Sequence, residues 1–322
     1  MPPGRVPPAR MIPPLQEEGG RTHGRVWALD MPGWRWTHYD LVTPAAFPAI
    51  QAEGWEEDVL ALMRDKDETP RLQSRAGMVM GILPDFPHQA GLESQEAAYW
   101  RFAMREDRIV TGRRSSVDGL YHAWQAARDG HAPGSPAALV DLVLAHFAAG
   151  VAQRAAVLDG EARRIEDDLL SDTPKRRLDE SGRRLGVARR DATRLVRLVA
   201  PVVRLLREED EELPGWVLAQ SHEVARRRIL SALDDLRALQ EHGRALQDEL
   251  SARQATETNR NVNTLSVITA VLLPPSLVAG FFGMNTGGMA WAEPEGGTLW
   301  AGGLMLGSVV VTLLLLRLRR II

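Results

Sequence analysis

Between Asn259 and Gly280 the side chains Asn259, Val262, Ser266, Thr269, Leu273, Ser276 and Gly280 recur with alternating gaps of three and four. On a helix of about 3.6 residues per turn such positions share one stripe. This stripe carries hydroxyls and an amide but no carboxylate. Uncharged oxygen suits a cation that keeps its water shell and is touched through water, and Mg²⁺ in particular dehydrates reluctantly. Leu273 and Val262 would interrupt the face as apolar constrictions, of the kind that gate by dewetting. Small and hydroxylated residues also pack helices together, and the spacing alone leaves both roles open.

The stripe sits on an element of unusual character. Thr264 to Phe282 holds no charged residue over nineteen positions, and Leu299 to Leu316 is equally uncharged. Each is close to the roughly 20 residues that a helix needs to cross a bilayer, so both are expected to span a membrane. Arg253 and Arg260 precede the first span, and Arg317, Arg319 and Arg320 follow the second. The segment between has no Lys or Arg, only Glu293 and Glu295. Cationic residues favour the cytosolic side, so both termini are expected in the cytosol and the connecting loop in the periplasm of a bacterial inner (plasma) membrane. Two spans cannot enclose a hydrophilic path alone, so a homo-oligomer is expected.

Upstream, the elements change twice. Residues 1–23 are rich in proline, lack the apolar core of a secretory signal and are expected to be a disordered lead-in. From 24 to 130 short segments alternate. Arg25 to Leu29, Trp34 to Val42, Arg71 to Leu83 and Ala98 to Met104 read as strands, with Glu106-Asp107 as a hairpin turn. Pro44 to Gln51, Glu56 to Met63 and Val117 to Asp129 read as helices, the last with Val117, Leu120, Tyr121 and Trp124 on one side. This is a mixed α/β domain. Residues 131–215 predict an antiparallel helical pair, opened by a Ser135 cap with Pro136 at the first helical position and interrupted near 171–174. From Trp216 the helical pattern meets no proline until Pro274, which predicts a stalk helix over 216–263 that continues into the first span at 264–282. A loop at 283–298, a second span at 299–316 and a basic tail at 317–322 complete the division.

Composition closes several routes. Zero cysteines remove disulfides, thiolate nucleophiles and Cys-containing zinc sites. The eight histidines include no pair three to five apart, so no compact His motif for zinc can be read. A net charge of −3 lacks the basic excess of a phosphate-binding face, so no nucleic acid partner is expected. No nucleophile elbow or phosphate loop is present, which argues against an enzyme, and no cofactor is expected. A membrane-anchored scaffold is the competing class.

At Ala279 to Trp291 the chain reads AGFFGMNTGGMAW, and here it resembles the CorA metal ion transporter family, whose signature is matched by Gly283-Met284-Asn285. The signature lies at the outer end of the penultimate span, before a short loop, a last span and a basic tail. The upstream Glu257-Thr258-Asn259 and the proline within the helix also look like family features. The resemblance implies an α+β homopentameric funnel in the lipid bilayer. Its N-terminal α/β domain and antiparallel helical pair would lie in the cytosol, with the stalk running into a pore-lining first span. Carried over by position, Asn285 would form the amide ring that receives a hydrated ion, with Gly283 and Met284 setting its turn and no tight protein-ligand metal site. Ser276 would be a polar ring, Leu273 and Val262 constrictions, and Asp248 an acidic ring at the cytosolic end. Thr269, Ser266 and Asn259 would line the path between them. Glu293 and Glu295 would attract the cation. The loop TGGMAW looks more like the zinc-transporting ZntB branch than like the magnesium channels, which points to Zn²⁺ with Mg²⁺ as the alternative cargo. Val224 stands at one place where magnesium-gated members would carry a sensing carboxylate.

Overall fold

Two-residue turns set the register of the N-terminal sheet. Pro32-Gly33 joins β2 (Trp27–Met31) to β3 (Trp34–Asp40), and Gly33 takes φ +85°. Proline fixes the first turn residue, and glycine accepts the left-handed second one. Ala76-Gly77, both at positive φ, joins β4 (Arg71–Arg75) to β5 (Met78–Asp85). Left-handed backbone at both central residues matches the twist of a hairpin. The run Arg71 to Leu83 is therefore a hairpin split at its middle. Glu106-Asp107 closes β6 (Ala98–Met104) onto β7 (Arg108–Arg113), with Arg105 N–H donating to Arg108 O at 2.8 Å.

The computed structural model describes residues 10–12, 27–88, 91, 96–171, 175–208, 213–218, 223–283 and 297–319. The chain divides into two compact units, Met1–Gln247 and Asp248–Ile322.

In the first unit seven strands form one sheet in the order β1-β2-β3-β7-β6-β5-β4. β1 (Arg10–Ile12) falls inside the segment expected to be a disordered lead-in and pairs antiparallel with Ala28 to Asp30. Extended, proline-flanked backbone is suited to a sheet edge. All pairings are antiparallel except β3 with β7, which are parallel. Period-two alternation sends Tyr39, Met78, Met80, Ile82, Ala103 and Val110 to one face, against α1 (Ala46–Ala52) and α2 (Glu57–Arg64). Arg114 donates to the carbonyls of Met63, Arg64 and Asp65, so a cation closes the C-terminal end of α2.

Trp36, Trp100, Phe102 and Ile109 alternate to the opposite face and are fully buried. Above them lie α3 (Asp118–Arg128) and the long α4 (Pro136–Leu170). Gly119 permits this: a Cβ there would stand 2.8 Å from Asp85 Oδ2 and 2.9 Å from Val143. Ser135 Oγ accepts from Ala138 N–H at 3.1 Å and caps α4 as the Ser-Pro pair predicts. α5 (Lys175–Glu208) returns beside α4, joined by Arg184 to Glu161 at 2.5 Å and Ser181 to Asp168 at 2.8 Å.

After the short α6 (Gly215–Leu218), α7 runs from Glu223 to Gly283 as one helix of 61 residues. Its part in the first unit buries Ile229, Leu233 and Leu236. It meets α4 through His242 and Glu166 at 3.3 Å, and α5 through Gln240 and Thr193 at 3.2 Å. The second unit holds the remainder of α7 and α8 (Gly297–Leu318).

Candidate ion pathway

α7 and α8 contain apolar windows of mean hydropathy 2.0 and 2.2, long and apolar enough to cross a membrane, and neither window is buried. Within α7 the half-covered positions Val267, Val271, Pro274, Val278 and Phe282 recur at spacings of three and four. At about 100° per residue, Val262, Ser266, Thr269, Leu273, Ser276 and Gly280 fall on the opposite side. All six are exposed, Val262 at 57% and Leu273 at 61%. Asn259 and Asp248, also exposed, continue the same side toward the N-terminus. The expected stripe therefore shares one side of α7, but exposure does not single that side out, since Ile268, Leu272 and Phe281 on other sides are exposed as well. Gly283 is the last residue of α7. Met284, Asn285, Glu293 and Glu295 lie outside the described residues.

Three hydroxyls of the span donate to their own helix. Thr269 Oγ1 bonds the carbonyl of Leu265 at 2.8 Å, Ser276 Oγ that of Leu272 at 2.7 Å, and Thr264 Oγ1 that of Arg260 at 2.9 Å. In hydrocarbon an unsatisfied donor is costly, so back-bonding is the low-energy state. It leaves the oxygen lone pairs directed away from the helix. Water held by a cation points its hydrogens outward, and such lone pairs accept them. Pro274 and Pro275 lack the N–H groups that would reach the carbonyls of Ala270 and Val271, yet α7 continues through both.

The spans contain no titratable group. Among the described residues no three His, Asp or Glu side chains are placed to hold one metal ion. Three histidines nonetheless gather in the first unit, where sequence spacing had shown none close together. His88 Nδ1 lies 2.9 Å from Asp118 Oδ1, His122 Nε2 lies 3.6 Å from the same oxygen, and the rings of His122 and His146 stack at 5.0 Å. Burial, then the neighbouring His122, lowers the pKa of His146. Only Asp118 and His122, four apart on α3, left a local signal.

A family model described as CorA-like Mg²⁺ transporter protein matches residues 32–320, nearly the whole chain. The chain belongs to this CorA family. It is accordingly a divalent cation transporter of the CorA type, and not an enzyme. Among its relatives, the divalent cation transporter CmaX of Pseudomonas aeruginosa is 24% identical over 308 residues, 90% of this chain and 89% of CmaX. The zinc transport protein ZntB of Pectobacterium carotovorum is 23% identical over 260 residues, 79% of this chain and 77% of ZntB. The complete structure of the CorA magnesium transporter from Methanocaldococcus jannaschii has the same fold. It superposes with a TM-score of 0.70 at 14% identity, covering 89% of this chain and 91% of that one. An N-terminal α/β domain followed by long helices and C-terminal apolar helices is thus the family architecture, as the resemblance implied.

Proposed function

We propose that five copies of this chain surround a central path for a hydrated divalent cation, with the stripe on α7 facing the axis. The observation that carries this reading is the spacing and chemistry of the stripe, hydroxyls and an amide on one side of α7. Between Asn259 and Gly280 its spacing averages 3.5 residues, the repeat of helices that supercoil around a common axis. In that arrangement Leu273 and Val262 are the narrow apolar rings, and Ser276, Thr269, Ser266 and Asn259 line the path with oxygen. Asp248 forms an acidic ring at the cytosolic end. Asn285, held in its turn by Gly283 and Met284, is the amide ring at the periplasmic mouth, where Glu293 and Glu295 raise the local cation concentration. The arginines flanking the spans support an inner-membrane location with both termini in the cytosol. The domain division follows the sequence: a cytosolic α/β part to about residue 130, a helical pair to 215 and a stalk to 263.

Zn²⁺ is the leading cargo, supported by the Thr286-Gly287-Gly288 loop and by the ZntB relative. Mg²⁺ is the second reading, supported by the family model and by a pathway of uncharged oxygens that leaves the water shell in place. Flux of Zn²⁺, Mg²⁺, Co²⁺ and Ni²⁺ into liposomes carrying the purified protein, with and without a pH gradient, tests both ion and coupling. Equal rates with and without the gradient remove proton coupling. Asn285→Ala is expected to lower uptake about tenfold or more, as loss of a charge-assisted contact of about 1.5–3 kcal/mol implies. A chain whose spans serve only as an anchor would show no uptake for that substitution to lower. Leu273→Ala is expected to raise resting flux, and unchanged flux would remove Leu273 from the gate.

A further inference from the structure

The four residues that share a side of α3, namely Val117, Leu120, Tyr121 and Trp124, do not close fully onto the sheet. They form one wall of a cavity of about 270 Å³ whose other wall includes Trp27, His38 and Arg113. The sheet register makes that second wall. Trp27 on β2 is paired with His38 on β3, and His38 is paired with Thr111 on β7, two residues before Arg113. All three side chains therefore alternate to the α3 side of three adjacent strands.

Aromatic surface dominates the enclosure. The Trp27 and His38 rings lie 4.9 Å apart at 30°, Trp27 and Trp124 6.5 Å apart, and Tyr121 and Trp124 6.1 Å apart, while His88 sits 3.8 Å from Tyr121. Arg113 is the fixed charge of the lining. Its Nε donates to His38 Nε2 at 3.2 Å, which places the ring proton of His38 on Nδ1, 2.8 Å from Thr111 Oγ1. Thr111 also receives the indole N–H of Trp36 at 2.9 Å. Burial, then the charge of Arg113, lowers the His38 pKa to about 3, so the ring stays neutral and keeps accepting. Arg113 is thus held by one nitrogen. No ion pair joins its guanidinium to a carboxylate among the described residues.

A guanidinium fixed through Nε and lacking an acid partner presents its two terminal nitrogens as a fork, the geometry that grips a carboxylate or phosphate through paired hydrogen bonds. Flat aromatic walls beside it favour a ring. Arg128 already covers Trp124 with its guanidinium carbon 4.8 Å from the ring. A volume near the lower end of the roughly 300–1,000 Å³ of small-molecule sites admits one ring system with one anionic group. We propose that this cavity, separate from the ion path, is a binding site for a small aromatic anion, whose acid group sits on Arg113 and whose ring lies against Trp27, Tyr121 and Trp124.

Titration calorimetry on the full chain in detergent micelles tests this with adenosine monophosphate against adenosine, and benzoate against benzyl alcohol. At least one anion is expected to bind saturably below about 1 mM and at least about tenfold tighter than its neutral partner. Arg113→Gln and Tyr121→Ala are each expected to weaken it about tenfold. Tyr121 is partly exposed, so its variant should melt at the wild-type temperature and keep the test valid should Arg113→Gln misfold. Binding of adenosine monophosphate alone marks a nucleotide site, and binding of benzoate alone an aromatic carboxylate site. The proposal is overturned if neither anion binds, if neutral partners bind equally well, or if a folded Arg113→Gln or Tyr121→Ala chain keeps full affinity.

Discussion

α4 and α8 are both long and apolar enough to cross a membrane, yet they belong to different solvents. The apolar window of α4 has mean hydropathy 1.4 and is half buried within the first unit, where Val143, Phe147 and Val151 are covered. That of α8 has mean hydropathy 2.2 and is not buried at all, with Leu306 at 73% and Leu314 at 56% exposed. Composition separates the two only slightly. What separates them is cover: α4 keeps polar residues such as Arg163 and Asp159 along one side and packs the other against α3, α5 and the inner strands β3 and β5 of the sheet. α8 is apolar all round, which on a helix of this length requires lipid or other helices.

Charge insertion breaks the comparison most sharply. Val143→Asp places an unpaired carboxylate in a fully buried site and is expected to unfold the first unit, at a cost above about 4 kcal/mol. Limited proteolysis of membranes carrying the chain would show it, and a protease-resistant N-terminal fragment would contradict it. Leu306→Asp should leave that unit's near-ultraviolet circular dichroism unchanged. It should instead reduce membrane integration, by about 2.5–3.5 kcal/mol at a span centre. Integration at the wild-type level would mean that α8 is not lipid-facing there.

Acid discriminates the regions next. His38 has a folded pKa of about 3 against 6.5 unfolded, so its contribution is complete above pH 6.5 and is lost progressively as pH falls toward 3, when only the unfolded chain takes up the proton. Each unit in that window removes up to about 1.4 kcal/mol. His38→Asn should flatten this part of the pH profile of thermal unfolding. The spans, with no titratable group, should keep their helical circular dichroism throughout. The smallest expected effect is that of Ser135→Ala, which removes the α4 cap and costs about 1 kcal/mol, read as a lower melting temperature.

How much of this was legible follows from how far each feature reaches along the chain. Helix period and charge are local, so α4, the spans and the stripe could be placed from sequence, down to the Ser135-Pro136 start. The β4–β5 hairpin was hidden because its turn uses Ala76, at φ +51°, where a sequence reader expects Asn or Asp. Helix is described at Gly215–Leu218 and from Glu223 onward, on either side of residues 219–222, which lie outside the described residues. The aromatic cavity was illegible for a different reason. Trp36 and Thr111 are 75 residues apart, and only the parallel β3–β7 pairing aligns His38 with the strand that carries Arg113. Val117, Leu120, Tyr121 and Trp124 looked like a plain core stripe. The gathering of His88, His122 and His146 depends on α3 packing against α4 and left only the Asp118–His122 spacing as a trace.

The back-bonded hydroxyls carry one more consequence. Because Thr269 and Ser276 spend their protons on Leu265 and Leu272, their outer surface has nothing to offer an anion. At these two positions chloride or phosphate would meet acceptors only, whereas the hydrogens around a metal aquo ion would find a partner. Two such hydroxyls discriminate by the sign of charge without carrying any charge, and no change of pH within the range of protein titration can invert their preference.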